Sequence, residues 1–201
     1  MPLRLFVALD PPAPLRRQLA ALAAELRRQA GRAAERLRWV EPGSLHLTLQ
    51  FLGNAPDERL GDVEAAVTAA ASAGRPLALS VRGVGAFPSP RRARVVWAGL
   101  HGELEPLGAL VRDLGARLAP LGFPPDERPF SPHLTLARAR DGASGLAGAL
   151  AALGAREAGT WRAGELTLFR SHLSPSGPRY EPLLRAPLGA APSEPHRTDS
   201  P

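Results

Sequence analysis

The stretch Leu45-His46-Leu47-Thr48-Leu49-Gln50-Phe51 alternates apolar and polar side chains, and its tetrapeptide His-Leu-Thr-Leu recurs as His133-Leu134-Thr135-Leu136. Alternation with a period of two is typical of a β-strand that has one face on the core. In both copies we expect the leucines to face the core, and His and Thr to share the opposite face, which in the first copy also includes Gln50. Turn-forming residues precede each copy, at Pro42-Gly43-Ser44 and at Pro129-Phe130-Ser131-Pro132, and mark where each strand begins.

A single copy of this pattern is explained by an ordinary half-solvated strand, whose outer face needs polar residues. Two identical copies favour a functional interpretation, in which two histidines from the halves of a duplicated fold face one substrate. A third His-x-Thr triplet begins at His196, in a segment rich in Pro, Ser and charged residues that has no strand periodicity. We therefore do not expect His196 to belong to the site.

The segments outward from the motifs alternate between helical and strand patterns. Each motif strand follows a long helical pattern and precedes a shorter one, which indicates a degenerate internal duplication. The mixed order predicts an α+β fold with antiparallel sheets. Beyond the two motif strands, the predicted helices are 12–37, 57–73 with Asp57 as N-cap, 104–121 and 146–153, and the predicted strands are 3–9, 77–87, 95–100, 166–169 and 180–184.

These features resemble the two-histidine (2H) phosphoesterase superfamily, and within it the RNA 2',3'-cyclic phosphodiesterases, first described as 2'-5' RNA ligases. The resemblance covers residues 3–188 and rests on the paired motifs, Arg4-Leu5-Phe6-Val7-Ala8-Leu9, Leu37-Arg38-Trp39-Val40 and Phe87-Pro88-Ser89-Pro90-Arg91. It implies one bilobal domain over residues 1–188, with two pseudo-symmetric lobes of antiparallel sheets flanked by helices and the motif strands facing a central cleft. Residues 189–201 lack periodicity, and we predict a disordered tail there.

The paired motifs supply the groups that opening of a cyclic phosphodiester requires. A base must deprotonate water while an acid protonates the leaving ribose oxygen, and an imidazole can serve in either role near neutral pH. Each threonine hydroxyl, from Thr48 and Thr135, can donate to a non-bridging phosphate oxygen. Because the two tetrapeptides are identical, the residues alone leave open which histidine is the acid. The resemblance implies that His46 is the proton donor to the 3'-oxygen and His133 the acceptor, which leaves a 2'-phosphate.

The resemblance also implies a phosphate-binding arginine five positions after the second histidine, which is Arg138. Strand parity places Arg138 on the side of the leucines, so a strand end or a twist has to turn it towards the cleft. The same parity predicts that Phe51, at the matching position of the first motif, packs in the core.

The amino-acid composition excludes several other chemistries. All 25 basic residues are arginines, and the chain contains neither Lys nor Cys. This excludes covalent lysyl-nucleotide chemistry, Schiff bases, Walker-type phosphate loops, thiol nucleophiles, disulfides and Cys-ligated zinc. Neither motif histidine has an acidic residue three or four positions later, which makes a poor zinc site. We expect no metal and no other cofactor.

The net charge of +6 carries little weight for nucleic-acid binding, because an Ala, Arg, Pro and Gly bias without Lys is typical of a GC-rich genome. Only the arginines near the motifs, including Arg91, Arg92, Arg94, Arg138 and Arg140, suggest phosphate contact. No signal peptide or membrane-spanning run is recognised, so we expect a cytoplasmic monomer without a membrane partner.

The expected partner is RNA, or an oligonucleotide, with a 2',3'-cyclic phosphate end. Two alternatives to hydrolysis stay open at this point. One is ATP-independent ligation with a 2'-5' linkage, and the other is a module that binds nucleotides or RNA without turnover.

Overall fold

The computed structural model describes residues 3–173 and 177–190. In this part of the chain, nine strands form two antiparallel sheets and four α-helices pack against them. The strands are β1 Leu3–Leu9, β2 Arg38–Trp39, β3 Leu47–Ala55, β4 Leu77–Phe87, β5 Ala93–Gly102, β6 His133–Ala143, β7 Glu157–Ala163, β8 Glu165–His172 and β9 Arg179–Pro187, and the helices are α1 Ala13–Ala30, α2 Leu60–Ala73, α3 Leu104–Leu118 and α4 Ala147–Ala152.

The two sheets correspond strand by strand. Sheet A has the order β3-β1-β8-β9, and sheet B has the order β2-β6-β5-β4-β7, in which β6-β5-β4-β7 repeats the arrangement of sheet A. Along the chain, β1-α1-β3-α2 is followed by the equivalent series β5-α3-β6-α4, with β4 between them. The predicted α+β class is confirmed, and each motif strand lies between a longer helix and a shorter one.

The helices form where apolar residues recur at helical spacing. In α1 the buried residues are Leu15, Leu19, Leu22 and Leu26, which line one stripe of the helix. The predicted extension of this helix to residue 37 is wrong, because Gly31 adopts a positive φ of 53° and ends the α-helix, and a 3-10 segment follows. The predicted N-cap at Asp57 is also wrong, since a 3-10 turn occupies 57–59 and α2 begins at Leu60.

Two strands of sheet B were not predicted. β7 contains the segment Glu157–Ala163, whose Ala and Gly residues hide its strand character, and it forms by pairing with β4. β2 contains only Arg38 and Trp39 and pairs with β6. Both strands are defined by distant partners rather than by local alternation.

The two faces of sheet A pack against different clusters of apolar residues. The leucines of both motifs are buried as predicted, with Leu47 and Leu134 fully inaccessible. On the other face of sheet A, Phe6, Ala8 and Phe169 form a second, smaller cluster against which Tyr180 packs. The first motif histidine lies against the aromatic rings of this cluster.

In the described ranges, no helix is both long and apolar enough to cross a membrane. Residues 191–201, which make up most of the predicted tail and include His196, lie outside the described residues. The disordered tail therefore stays a prediction.

Candidate active site

The two motif histidines are oriented by the same hydrogen bond. His46 directly precedes β3, and its Nδ1 lies 2.8 Å from the carbonyl oxygen of Ser44. His133 is the first residue of β6, and its Nδ1 lies 2.7 Å from the carbonyl oxygen of Ser131. A carbonyl oxygen only accepts, so each Nδ1 carries a proton and donates it. Each Nε2 is thereby left as the nitrogen that can exchange a proton with a substrate.

His46 lies among aromatic rings of sheet A. Its ring centroid is 4.8 Å from that of Phe6 and 4.9 Å from that of Tyr180, which meets it edge-on. Burial lowers the pKa of His46, and the Arg138 guanidinium lowers it further, whereas the Ser44 carbonyl acts in the opposite direction. Asp10 raises the pKa and Arg16 lowers it, and with all these groups together the pKa of His46 is still lowered, so the ring favours its neutral form before a substrate binds.

His133 lies on the equivalent aromatic support in sheet B. Its ring centroid is 5.1 Å from that of Phe87, at an interplanar angle of 82°. Burial lowers the pKa of His133, the Ser131 carbonyl opposes this shift, and Arg138 adds to it. An imidazole of lowered pKa is neutral at neutral pH, which is the form that a general base requires.

Each motif strand contains a β-bulge at the fourth residue of its tetrapeptide. In β3, Ala8 pairs with Thr48 and Val7 pairs with Gln50, so that Leu49 is an extra residue. In β6, the partners of Trp97 and Val96 are residues 135 and 137, so that residue 136 is extra. An extra residue reverses the inward and outward alternation of every residue that follows it.

The bulge in β6 corrects the expectation that strand parity places Arg138 with the leucines. After the extra Leu136, it is Ala137 that is fully buried, and Arg138 is exposed on the face that carries His133 and Thr135. Its positive charge acts on both motif histidines and on Tyr180. The charge of one arginine thus acts on both halves of the site, as that of a shared anion-binding group would.

The bulge in β3 likewise contradicts the prediction that Phe51 is a core residue. Phe51 is 61% exposed, and its ring centroid is 5.9 Å from that of Phe6, on the His46 side of the sheet. Gln50, expected beside His46 and Thr48, is buried instead, and its Nε2 donates to the Phe123 carbonyl at 2.9 Å. Phe51 corresponds to Arg138 in the duplicated arrangement and offers an exposed aromatic face beside the site.

Thr48 and Thr135 occupy equivalent places in the two sheets. Both are partly exposed, in contrast to the buried leucines on either side of them. Thr48 pairs with Ala8 of β1, and Thr135 pairs with Trp97 of β5. Each hydroxyl is therefore placed two residues from its histidine, on the partly exposed side of the strand.

The two histidines differ in the residue at the equivalent position of the neighbouring strand, and this difference was not predicted from the sequence. The β1–β3 register ends at Leu9 opposite Leu47. Asp10 is the next residue of the chain, and its carboxylate opposes the lowering of the His46 pKa. The residue opposite His133 is Gly99, which has no side chain. The only sequence signal was an acidic residue at the end of the first strand.

Asp10 is held in place by two arginines. Its carboxylate pairs with Arg16 of α1 and lies 3.7 Å from Arg185 of β9. Arg16 also donates from Nη1 to the Gly43 carbonyl at 3.2 Å, in the turn that supplies the Ser44 carbonyl to His46. The same group of side chains thus fixes both the charge beside His46 and the turn that orients its ring.

The other described histidines lie apart from this arrangement. His172 pairs with Glu181 through its Nε2 at 2.6 Å, and His101 is exposed near the end of β5. Arg91 and Arg92 lie in the exposed turn between β4 and β5. Among residues 3–173 and 177–190, no three His, Cys, Asp or Glu side chains are grouped so that they could hold a metal ion.

Comparisons with known proteins identify the family of this chain. The family model "LigT like Phosphoesterase" matches residues 9–97 and 101–180. A curated protein of Methanothermobacter thermautotrophicus, named RNA 2',3'-cyclic phosphodiesterase, is 36% identical over 185 residues, which cover 90% of this chain and 96% of that protein.

Solved structures match over almost the whole chain. A crystal structure of a Thermus thermophilus protein has a TM-score of 0.75 at 31% identity and covers 92% of this chain and 98% of its own. E. coli LigT complexed with 3'-AMP has a TM-score of 0.74 at 28% identity and covers 94% of this chain and all of its own. From its paired motifs, its two matching sheets and these relatives, the chain belongs to the LigT-like family of two-histidine phosphoesterases.

Proposed function

We propose that this protein hydrolyses RNA 2',3'-cyclic phosphate ends to 2'-phosphomonoesters by acid and base catalysis from His46 and His133. The observation that carries the proposal is that Arg138 acts on both imidazoles, each of which keeps its Nε2 for a substrate. The name of the Methanothermobacter relative supports the same reaction. In this proposal the enzyme is a cytoplasmic monomer that acts on RNA or oligonucleotides.

In the proposed reaction, His133 accepts a proton from water at its Nε2 as the water oxygen attacks phosphorus. The bond between phosphorus and the 3'-oxygen breaks, and His46 donates the proton on its Nε2 to that oxygen. Arg138 and the hydroxyls of Thr48 and Thr135 donate to the phosphate oxygens, where negative charge increases in the transition state. The products are a 2'-phosphate and a free 3'-hydroxyl, and the two histidines regain their starting protonation from solvent.

Asp10 supports the assignment of His46 as the acid. A general acid must be protonated before the reaction, and burial works against the charged form of His46. The Asp10 carboxylate favours the charged form and outweighs the opposing effect of its partner Arg16, whereas His133 has only Gly99 in the equivalent position. The bound phosphate adds a second negative charge near both rings.

We expect Asp10→Asn to lower the pKa of His46, since a carboxylate that favours the imidazolium is lost. The alkaline limb of the rate profile should move to lower pH, because His46 must be protonated to react. NMR titration of the histidine ring protons checks this shift without relying on turnover. Glu165→Gln is the matched control, since Glu165 accepts from Arg185 at 2.6 Å and is not among the groups that act on His46. An unchanged His46 titration in Asp10→Asn would remove this basis for assigning the acid.

The proposed function is tested by incubating the protein in excess EDTA with an oligonucleotide that ends in a 2',3'-cyclic phosphate. We expect a 2'-phosphate product, because every step is assigned to a side chain of the protein. A parallel reaction with a 5'-hydroxyl oligonucleotide reports 2'-5' ligation, in which a ribose hydroxyl replaces water. Activity that is lost on chelation and restored by a divalent ion would contradict the mechanism, and binding without turnover would favour a binding module.

A further inference from the structure

Arg38 and Arg138 lie directly opposite each other on neighbouring antiparallel strands. β2 pairs with β6 through Arg38 opposite Arg138 and Trp39 opposite Ala137. Paired residues of an antiparallel ladder project from the same face, with Cβ atoms about 4.5–5.5 Å apart. Arg38 therefore lies on the cleft side of sheet B and extends the positive surface around Arg138 by one strand.

This pairing concentrates positive charge at one edge of sheet B. Like charges in directly opposed positions destabilise a sheet, and both arginines are exposed at this edge. An anion bound beside each guanidinium group offsets the repulsion between them. The edge next to the catalytic cleft is thus suited to a ligand with more than one negative charge.

The Arg38 side chain also reaches towards the strand that carries Tyr180. Its Nη2 is only 2.8 Å from the position that a Cβ on Gly177 would occupy, and Gly177 lies just before β9. Tyr180 is subject to the charges of Arg138 and of Arg4 from β1. Positive charge from both sheets therefore surrounds this end of the cleft.

We propose that Arg38 and Arg138 form adjacent phosphate subsites, in which Arg138 binds the reacting cyclic phosphate and Arg38 binds the phosphate at the 5'-oxygen of the same nucleotide. The inference rests on the proposed function and makes the preferred substrate an RNA end rather than a free cyclic mononucleotide. A strand that ends in a cyclic phosphate has no phosphate beyond it. The next negative charge along the substrate is therefore the 5' phosphodiester, within one nucleotide of the reacting phosphorus.

The smallest probes of the second subsite are nucleoside 2',3'-cyclic phosphates with and without a 5'-phosphate. For the unmodified protein we expect a KM about tenfold lower when the 5'-phosphate is present, as for one charge-assisted contact. Arg38→Ala should abolish this difference and leave kcat/KM for the compound without the 5'-phosphate unchanged. Arg38→Lys should restore part of it. Arg112→Ala removes an exposed arginine from α3 that is not among the groups acting on the motif histidines, and it should change neither value.

A dinucleotide substrate separates a phosphate contact from general electrostatics. Replacing its internal phosphodiester by a neutral methylphosphonate should raise KM as much as Arg38→Ala does. Combining the two changes should cost little more than either alone, because both remove the same interaction. Multiplicative losses, or a protein that does not distinguish the two mononucleotides, would overturn the second subsite.

The subsite and the proposed function can fail independently. If the mononucleotides turn over but Arg38→Ala affects both equally, only the subsite is wrong. If neither these mononucleotides nor a cyclic-phosphate oligonucleotide turns over, the proposed function is wrong, and calorimetric binding of nucleoside 2'-phosphates with and without a 5'-phosphate then decides the subsite. Equal binding would reject it, and tighter binding of the 5'-phosphorylated ligand that depends on Arg38 would support it. Arg38→Gln replaces Arg38→Ala if the alanine variant has a lowered thermal midpoint.

Discussion

Replacement of either His46 or His133 by alanine is expected to lower kcat/KM by about 10²- to 10⁴-fold, the usual contribution of a positioned acid or base. The double variant should lose far less than the product of the two single losses, because residues that act in one step are not additive. Steady-state kinetics on a cyclic-phosphate oligonucleotide, with thermal midpoints measured for each variant, checks both expectations.

The two remaining described histidines serve as controls for the loss of an imidazole. His101 is exposed, and His172 pairs with Glu181, so His101→Ala and His172→Ala should keep near-normal turnover. A double variant of His46 and His133 with the full multiplicative loss would mean that the two rings act in separate steps. Near-normal turnover in His133→Ala would make the repeated tetrapeptide a feature of strand packing.

The pH dependence of the unmodified enzyme follows from the same assignment. The reactive form has His133 neutral and His46 protonated, so the rate should rise and then fall with increasing pH. Burial lowers the pKa of both rings, which moves the profile towards the acid side of an ordinary imidazole titration. The Asp10 carboxylate limits this movement for His46 alone and thereby extends the alkaline limb.

Local alternation was sufficient to predict the motif strands but not the faces of the residues that follow the motifs. The bulges occur at Leu49 and Leu136, and an extra leucine in a run of alternating residues has no compositional signature. Parity counted from the histidines therefore failed for Gln50, Phe51 and Arg138. The resemblance to known phosphoesterases pointed to Arg138 in spite of parity, and the bulge leaves Arg138 exposed on the face that carries His133.

The difference between the surroundings of the two histidines could not be predicted from the sequence either, because it depends on which strands pair. The tetrapeptides are identical, and what distinguishes them is the neighbouring strand, which supplies Asp10 to His46 and Gly99 to His133. The pairing of Arg38 with Arg138 joins residues 100 positions apart through a two-residue strand. These relations depend on long-range register, which no pattern within either segment encodes.

Thr48→Val and Thr135→Val are each expected to lower kcat by about 10²-fold, the typical cost of removing one donor to a developing oxyanion. Valine keeps the shape of threonine, and both sites are partly exposed, so stability should change by less than about 0.5 kcal/mol. Turnover of a cyclic-phosphate substrate and the thermal midpoint, measured on the same preparations, distinguish the loss of a donor from a loss of folding.

Thr167→Val is the matched control, because it makes the same change in the same cross-strand row of sheet A. Thr48 pairs with Ala8, and Ala8 pairs in turn with Thr167. The Thr167 hydroxyl is buried and has no hydrogen-bond partner in the described part of the chain, so its removal should leave kcat unchanged and stabilise the fold by about 1 kcal/mol. If Thr48→Val and Thr135→Val instead lowered the thermal midpoint while the folded fraction kept full turnover, the two threonines would be structural residues.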